Sequence, residues 1–350
     1  MKILLVSPKT NISNGGIAVW TDAFLRGTDV RGLECDIVNT QTVGKRAENL
    51  TAGISLFDEI KRTRSIMNQL SSHLSDKEYS AAHINTSIGK FGIIRDYFCA
   101  RALKKKNIPI ILHFHCDVEF WVKGFLVRHY LKRILKITDK CLVLNESSQK
   151  YLMDNFSVHS EIIPNFIDDG AVISEHKKVN EKIEKVFFVG RLTADKGIKE
   201  LISVANYHPD IVFELAGELS EGEAPNEFPT NVHLLGRLSH EEVIERMDGA
   251  DLFLFPSHSE GFSLSLLESM ARGLPAIATD VGANASMLAE GAGNIVAVGD
   301  VCGINGALSL MSEQSVREQI SKKAVDRVKM LYTESAFFNR ILPIYEALIK

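Results

Sequence analysis

The chain is poor in the features that anchor small secreted folds. Its five cysteines (Cys35, Cys99, Cys116, Cys141 and Cys302) stand singly, with no Cys-x-x-Cys pair. That argues against a disulfide framework or a structural zinc site, and for a reduced cytoplasm. Long apolar runs are missing too: Ile108–Leu112 and Leu252–Phe255 fall far short of the roughly 20 residues that cross a bilayer. The opening MKILLVSPKT lacks the apolar stretch and small-residue cleavage site of an export signal, so a cytoplasmic protein is expected. Neither Gly-x-Gly-x-x-Gly nor a P-loop occurs, which leaves nicotinamide chemistry and ATP hydrolysis without their fingerprints. No Asp-x-Asp triplet offers itself to a divalent metal, and no repeat or low-complexity tract is present. With a net charge of −4 and no recognised module, nucleic-acid binding is not expected.

What is present is an ordinary globular composition, 45% hydrophobic and 24% charged, over 350 residues. That length exceeds what one core usually serves, so two domains or one large α/β barrel are expected. Charge is unevenly divided. Residues 1–170 hold 23 Lys and Arg against 18 Asp and Glu, whereas the remaining 180 hold 17 against 26. A basic front and an acidic back suggest domains with different partners.

Short β-branched or apolar runs alternate with amphipathic stretches along the whole chain. The first half offers strands at Ile3–Val6, Cys35–Asn39, Ala82–Asn85, Ile108–His115, Cys141–Leu144 and Glu161–Pro164. The second offers Val186–Val189, Val212–Ala216, Val232–Leu235, Leu252–Phe255, Ala276–Thr279 and Asn294–Val298. Helices are expected at Gly15–Leu25, Ile54–Leu74, Gly92–Lys106 and Gly197–Tyr207. Strands apolar along their whole length are buried on both faces, which predicts parallel sheets covered by helices. The polar stretch Asp168–Lys185 between the two sets reads as a linker. Two doubly wound, Rossmann-like domains follow, over 1–170 and 171–335, in preference to an eight-stranded barrel, which has no mid-chain break.

Four segments carry chemistry. In the first, the strand ending at Pro256 passes through Glu260-Gly261 into a helix that begins near Ser263 or Ser265 and stops at Gly273. The first-turn amides of such a helix attract phosphate, and Gly261 lets backbone approach a ligand. Glu268 lies eight residues after Glu260, so both carboxylates can border one ligand. The same Ser265–Glu268 spacing is also a capping box, in which Glu268 only satisfies a backbone amide. In the second segment, Arg191 and Lys196 flank the loop after a strand, an arrangement suited to a diphosphate or to a plain solvated loop. In the third, Asn14-Gly15-Gly16 follows the first strand, as a phosphate-facing turn or an ordinary strand–helix turn. The fourth is the pair His113 and His115 at a strand end, with alternation read as turning one inward and the other to the opposite face. His-x-His can bind metal, but no further ligands stand nearby, and His83 reads as structural.

The stretch Lys123–Lys140 is basic and apolar together. With Arg101 and Lys104–Lys106 it can dock on anionic lipid, or it can be a surface helix packing an apolar stripe on its own sheet.

Taken together, these segments resemble the retaining glycosyltransferases of family 4, of the bacterial surface-polysaccharide type. The resemblance is strongest in FVGRLTADKGI, LAGEL, VHLLGRLSHEEVIERMDGADLFLFPS and EGFSLSLLESMARGLPAIATDVG, between Val186 and Gly282. It is looser at Gly15-Gly16, His115, Leu142–Ser148 and Ile163–Asp168. It implies the GT-B fold, two Rossmann-like domains facing a central cleft, with a last helix over 336–350 crossing back to the N-terminal domain. The front domain would bind the acceptor and the back domain the nucleotide sugar.

The resemblance also implies roles. Arg191 and Lys196 would neutralise the donor diphosphate, Glu268 would hydrogen-bond the ribose, and Glu260 would face the donor sugar. Backbone of Gly261, Phe262, Ser263, Leu264 and Ser265 would line sugar and phosphates, and Gly15 and Gly16 would close over them. His115 would approach the transferred sugar, and Arg237 and Leu238 the base. Three departures stand out: Phe166 follows Asn165 where the family usually has glycine, Ser263 fills a spot often small or glycine, and LAGEL lacks the family's usual second glycine.

The function expected is metal-independent, retaining transfer of a hexose or N-acetylhexosamine from a nucleotide diphosphate sugar, UDP-sugar favoured over GDP-sugar. No cofactor is expected. The acceptor expected is a glycan or a polyprenyl-diphosphate-linked glycan in cell-surface polysaccharide synthesis, at the inner face of the plasma membrane. A nucleotide-sugar epimerase of the same fold and a non-catalytic sugar-binding protein are the alternatives.

Overall fold

The computed structural model describes residues 1–9, 16–41, 56–175, 177–220 and 228–349. All twelve expected strands form. They build two sheets of six strands each, ordered β2-β1-β3-β4-β5-β6 and β12-β11-β10-β7-β8-β9. The first comprises β1 (Lys2–Ser7), β2 (Glu34–Asn39), β3 (Ala81–Thr86), β4 (Ile110–Phe114), β5 (Lys140–Val143) and β6 (Ser160–Ile162). The second comprises β7 (Lys185–Val189), β8 (Val212–Ala216), β9 (Val232–Gly236), β10 (Leu252–Phe255), β11 (Ala276–Thr279) and β12 (Asn294–Val296). Every pairing is parallel. The cause is visible in burial: β3, β4, β10 and β11 are buried at every position, so helices must cover both faces.

The chain divides into a first unit, Met1–Asn165 with Phe337–Lys350, and a second, Phe166–Ala336. The second unit begins where Ile167 bridges Thr333 and donates its N–H to the Tyr332 carbonyl. The polar stretch expected as a free linker is instead laid on this unit. The Ile173 amide donates to Ala271 O, and Lys177 Nζ donates to Met247 O and Asp248 O, at 2.7 Å each. Burial pulls the Lys177 ammonium down to about 8. The buried Arg317 guanidinium donates to the carbonyls of Asn180 and Glu181, pinning the same stretch. Its composition looked like a linker because its polar groups bind backbone carbonyls, which hydropathy does not register.

In the first unit, helix Gly92–Lys105 packs beside Phe125–Leu135, and Val127, Leu131, Ile134 and Leu135 of the latter are buried. The apolar stripe of the basic stretch therefore does pack on its own domain. The final helix, Glu334–Ile349, buries Phe337, Phe338, Ile341 and Tyr345 in this unit. Phe338 stacks on Phe24 at 5.5 Å, Phe24 stacks on Trp20 at 4.9 Å, and Tyr345 Oη bonds His83 Nδ1 at 2.5 Å. His83 is thus a buried hydrogen-bonded structural residue. Among the described residues no helix is long and apolar enough to cross a membrane.

Truncating a buried ring in this stack leaves a cavity. Phe338→Ala should destabilise the first unit by about 3–5 kcal/mol, read in urea by the fluorescence of Trp20. A midpoint equal to wild type would mean that the last helix contributes nothing to that core.

Candidate functional site

Each sheet has one place where the chain changes direction. In the second unit β7 lies between β8 and β10, so connections leaving the C-terminal ends of β7 and β10 run to opposite sides. Parallel sheets bind ligands at such a point. The loop after β7 carries Arg191 and Lys196, and the loop after β10 carries Glu260 and Gly261.

These two loops are locked together. Lys196 Nζ lies 2.5 Å from Glu260 Oε1, with both side chains largely buried. The Ser257 hydroxyl is 3.0 Å from the same carboxylate oxygen and 3.3 Å from Asp195 O, and the His258 amide donates to Asp195 O at 2.8 Å. The Thr279 hydroxyl at the end of β11 donates to the Ser257 carbonyl. Backbone crowding demands glycine here. A Cβ on Gly197 would lie 2.2 Å from Pro256 O, and one on Gly282 2.2 Å from Glu260 O, both at positive φ. Arg191 stays mostly exposed, its Nη2 3.9 Å from Asp195 Oδ2.

The helix after this loop runs Leu264–Ala271, and Ser263 makes no side-chain cap. Its hydroxyl instead donates to Asn284 Oδ1 at 2.8 Å, while Asn284 Nδ2 donates to Thr279 O. Ser265 lies inside the helix, so the capping box does not form. The first-turn amides of this helix keep their partial positive charge beside Lys196 and Glu260. Phe262 and Ser263 are buried, Phe262 with its ring 5.7 Å from that of Tyr332.

Three other candidates lie apart from this web. Glu268 is half-buried, and its carboxyl sits above the ordinary range because burial penalises the anion; His240, 3.8 Å away, opposes that rise. Arg237 reaches Glu218 at 3.6 Å, both exposed. Leu238 is half-buried, next to the Ser239–Glu242 capping box of helix His240–Gly249.

In the first unit β1 lies between β2 and β3, and Gly16 opens the helix after β1. Gly15 lies outside the described residues. His113 and His115 do not point to opposite faces: their ring centroids are 4.2 Å apart, and both contact Trp20. Positions two apart on a strand share a face, which the expectation overlooked. His115 Nε2 is 3.1 Å from Asn85 Oδ1, and Asn85 Nδ2 donates to the Ser7 hydroxyl at 2.9 Å. Burial, then the neighbouring His113, drives the His115 imidazole far below its usual range, so it is neutral near pH 7.

The sequence reading missed Asn85, Trp20, Ser257 and Asn284, which orient candidates it did find. Asn85 had a signal: it ends a strand, and pairs in register with His113. Ser257 and Asn284 had none, since their roles depend on loops meeting in space. Among the described residues no three His, Cys, Asp or Glu side chains form a metal-binding group.

Comparison with known proteins bears on the family and the fold. Residues 171–327 match the family described as glycosyl transferases group 1, and residues 14–170 match Glycosyltransferase Family 4. The chain is similar to the 2-deoxystreptamine N-acetyl-D-glucosaminyltransferase of Niallia circulans, 26% identical over 77% of this chain and 76% of the relative. It is also similar to the capsular polysaccharide biosynthesis glycosyltransferase CapM of Staphylococcus aureus, 27% identical over 65% of this chain and 68% of the relative. Among solved structures, sucrose-phosphate synthase of Thermosynechococcus elongatus superposes with a TM-score of 0.80 at 17% identity, over 99% of this chain and 98% of that one. HepE of Anabaena, solved in complex with UDP, gives 0.73 at 14%, over 99% and 100%. The fold is GT-B, and each half of the chain matches one of these two glycosyltransferase families.

Burial of Glu268 has a pH signature. The folded protein binds this proton more tightly than the unfolded chain, so ionisation costs stability as pH rises from the ordinary 4.5 through the raised value, and the cost persists above it. Without ligand, Glu268→Gln should melt above wild type at pH 7, with the gap shrinking as pH falls toward 4. A gap constant over that span would show that the carboxylate carries no burial penalty.

Proposed function

We propose that this protein is a group 1 glycosyltransferase that moves a hexose or N-acetylhexosamine from a nucleoside diphosphate sugar to a glycan or polyprenyl-diphosphate-linked acceptor, with retention of anomeric configuration. UDP-sugar is the donor favoured over GDP-sugar, and the work is cell-surface polysaccharide synthesis at the cytoplasmic face of the plasma membrane. The observation that carries the reading is the Lys196–Glu260 pair at the switch point of the second sheet, beside a helix N-terminus with no side-chain cap. Support for the biosynthetic role comes from the capsular polysaccharide relative, and support for the nucleotide from the UDP complex of HepE.

The chemistry follows from charge. As the bond between the sugar C1 and the β-phosphate oxygen breaks, negative charge grows on the diphosphate and positive charge on the ring. Lys196, Arg191 and the first-turn amides of Leu264–Ala271 stabilise the leaving group, already oriented before reaction. The acceptor oxygen bonds to C1 from the same face, and its proton passes to the departing phosphate oxygen. Glu260 holds Lys196 in place and meets the sugar hydroxyls. Glu268 gains two hydroxyl donors from the ribose, relieving the cost of its burial, and the Arg237–Leu238 backbone meets the base. Gly261, Phe262, Ser263 and Ser265 offer main-chain groups to the sugar and phosphates, and Gly16 closes over them. His115, being neutral, offers the sugar a hydrogen bond without setting a cation beside a developing positive ring. No metal is required, since fixed cations take that role.

A thermal-shift panel of UDP-, GDP- and ADP-sugars reads donor choice directly, because a ligand of the folded state raises its melting point. Arg191→Ala and Lys196→Ala should each lower kcat/KM roughly a hundredfold. Full activity should persist in EDTA, and NMR should show the product with the donor's anomeric configuration. An inverted product, or cation variants with wild-type rates, would overturn the mechanism.

A further inference from the structure

The first unit carries an apolar tip that neither its core nor the proposed chemistry uses. Between two buried anchors, Val118 and Val127, four large apolar side chains face water: Phe120, Trp121, Phe125 and Leu126. Phe125 is 84% exposed, an extreme value for a phenylalanine. The segment that presents them is firmly tied. Asp117 accepts from the Phe120 amide and the Ser147 hydroxyl, the Val118 amide donates to Ser148 Oγ, and Gly124 turns the chain at φ +84°.

Cations surround the tip. Lys123 Nζ stands 4.1 Å from the centroid of the Phe120 ring, and Arg128, Lys132, Arg133 and Lys136 lie exposed along the helix that follows. From Val118 to Lys136 there are five Lys and Arg, and Glu119 is the single acid.

We propose that this tip docks the protein on an anionic lipid surface. Phe120, Trp121, Phe125 and Leu126 enter the boundary between headgroups and acyl chains, and the cations meet lipid phosphates. Interleaved aromatics and lysines suit that boundary, where rings prefer the headgroup level and each cation adds attraction to negative lipid. A protein partner fits less well, because interface centres are depleted of lysine. A second copy of this chain is disfavoured further, since a twofold interface would set these cations against one another. Helix Val118–Trp121 begins three residues after His115, so docking holds that end of the first sheet near the membrane, where a lipid-linked acceptor resides. Only this last link rests on the proposed function; the docking itself does not.

The test uses the full chain with vesicles of phosphatidylcholine, alone or with one-third phosphatidylglycerol. The protein should sediment with the anionic vesicles, and less so as salt rises. Of the two tryptophans, Trp20 is buried and Trp121 half exposed, so a blue shift and quenching by brominated lipid report Trp121. Phe120→Ser/Trp121→Ser/Phe125→Ser should lower partitioning at least tenfold, as should Lys123→Ser/Lys132→Ser/Lys136→Ser. Phe125→Ser alone, at so exposed a position, should melt like wild type and still bind several-fold more weakly. Absence of binding to anionic vesicles, binding unchanged in all three variants, or a dimer in light scattering that Phe125→Ser dissolves without any vesicle binding, would each overturn the proposal. Transfer to a soluble acceptor should be equal in wild type and Phe125→Ser. Its absence alongside intact vesicle binding would sink the catalytic reading alone.

Discussion

The contact between the Lys196 ammonium and the Glu260 carboxylate joins two loops that the topology sends in opposite directions. It adds to the backbone ties between the ends of β7 and β10, where the His258 amide donates to Asp195 O and Gly197 lies against Pro256. With it, a cation is held at a fixed place beside helix amides, and the Ser257 hydroxyl shares the same carboxylate oxygen. Both charges are largely removed from water, so losing either partner would leave the other buried and uncompensated. In the proposed reaction the donor diphosphate would compete for Lys196, because it supplies the same kind of charge-assisted partner.

The surroundings pack backbone closely around that place. Gly197 and Gly282 allow backbone to approach where any Cβ would collide with a carbonyl. Ser263, a residue type that normally caps a helix, spends its hydroxyl on Asn284 instead, and Asn284 in turn fixes the end of β11. A helix start without a side-chain cap is a small cost to the fold, and it leaves donors for an anion. Glu268 carries a similar cost, since burial raises its proton affinity. Stability given up at a site is a common trace of function.

The first unit follows a different logic. Its histidines, Trp20 and the last helix form one aromatic stack in which burial keeps the imidazoles neutral. Beyond Asp117 the chain, tied by the Val118 and Phe120 amides, turns outward into the aromatic tip. One strand therefore leads from a buried polar cluster to an exposed apolar surface within a few residues.

How much of this was legible beforehand depends on how local each feature is. Strands such as Leu252–Phe255 announced themselves, because burial on both faces requires an unbroken apolar run, and the central strands of both sheets are of this kind. Arg191, Lys196, Glu260 and His115 were readable as candidates, because residues just past a buried strand have little else to do. Spacing alone could not say whether Ser265 and Glu268 cap a helix, nor that Asp168–Lys185 binds carbonyls of its own domain. It likewise gave no hint that Phe125 points outward while Val127 points in. Each of those depends on which groups meet across long stretches of chain. Periodicity reports how a segment faces a core, and only tertiary packing decides which polar partner, or which water, each side chain meets there.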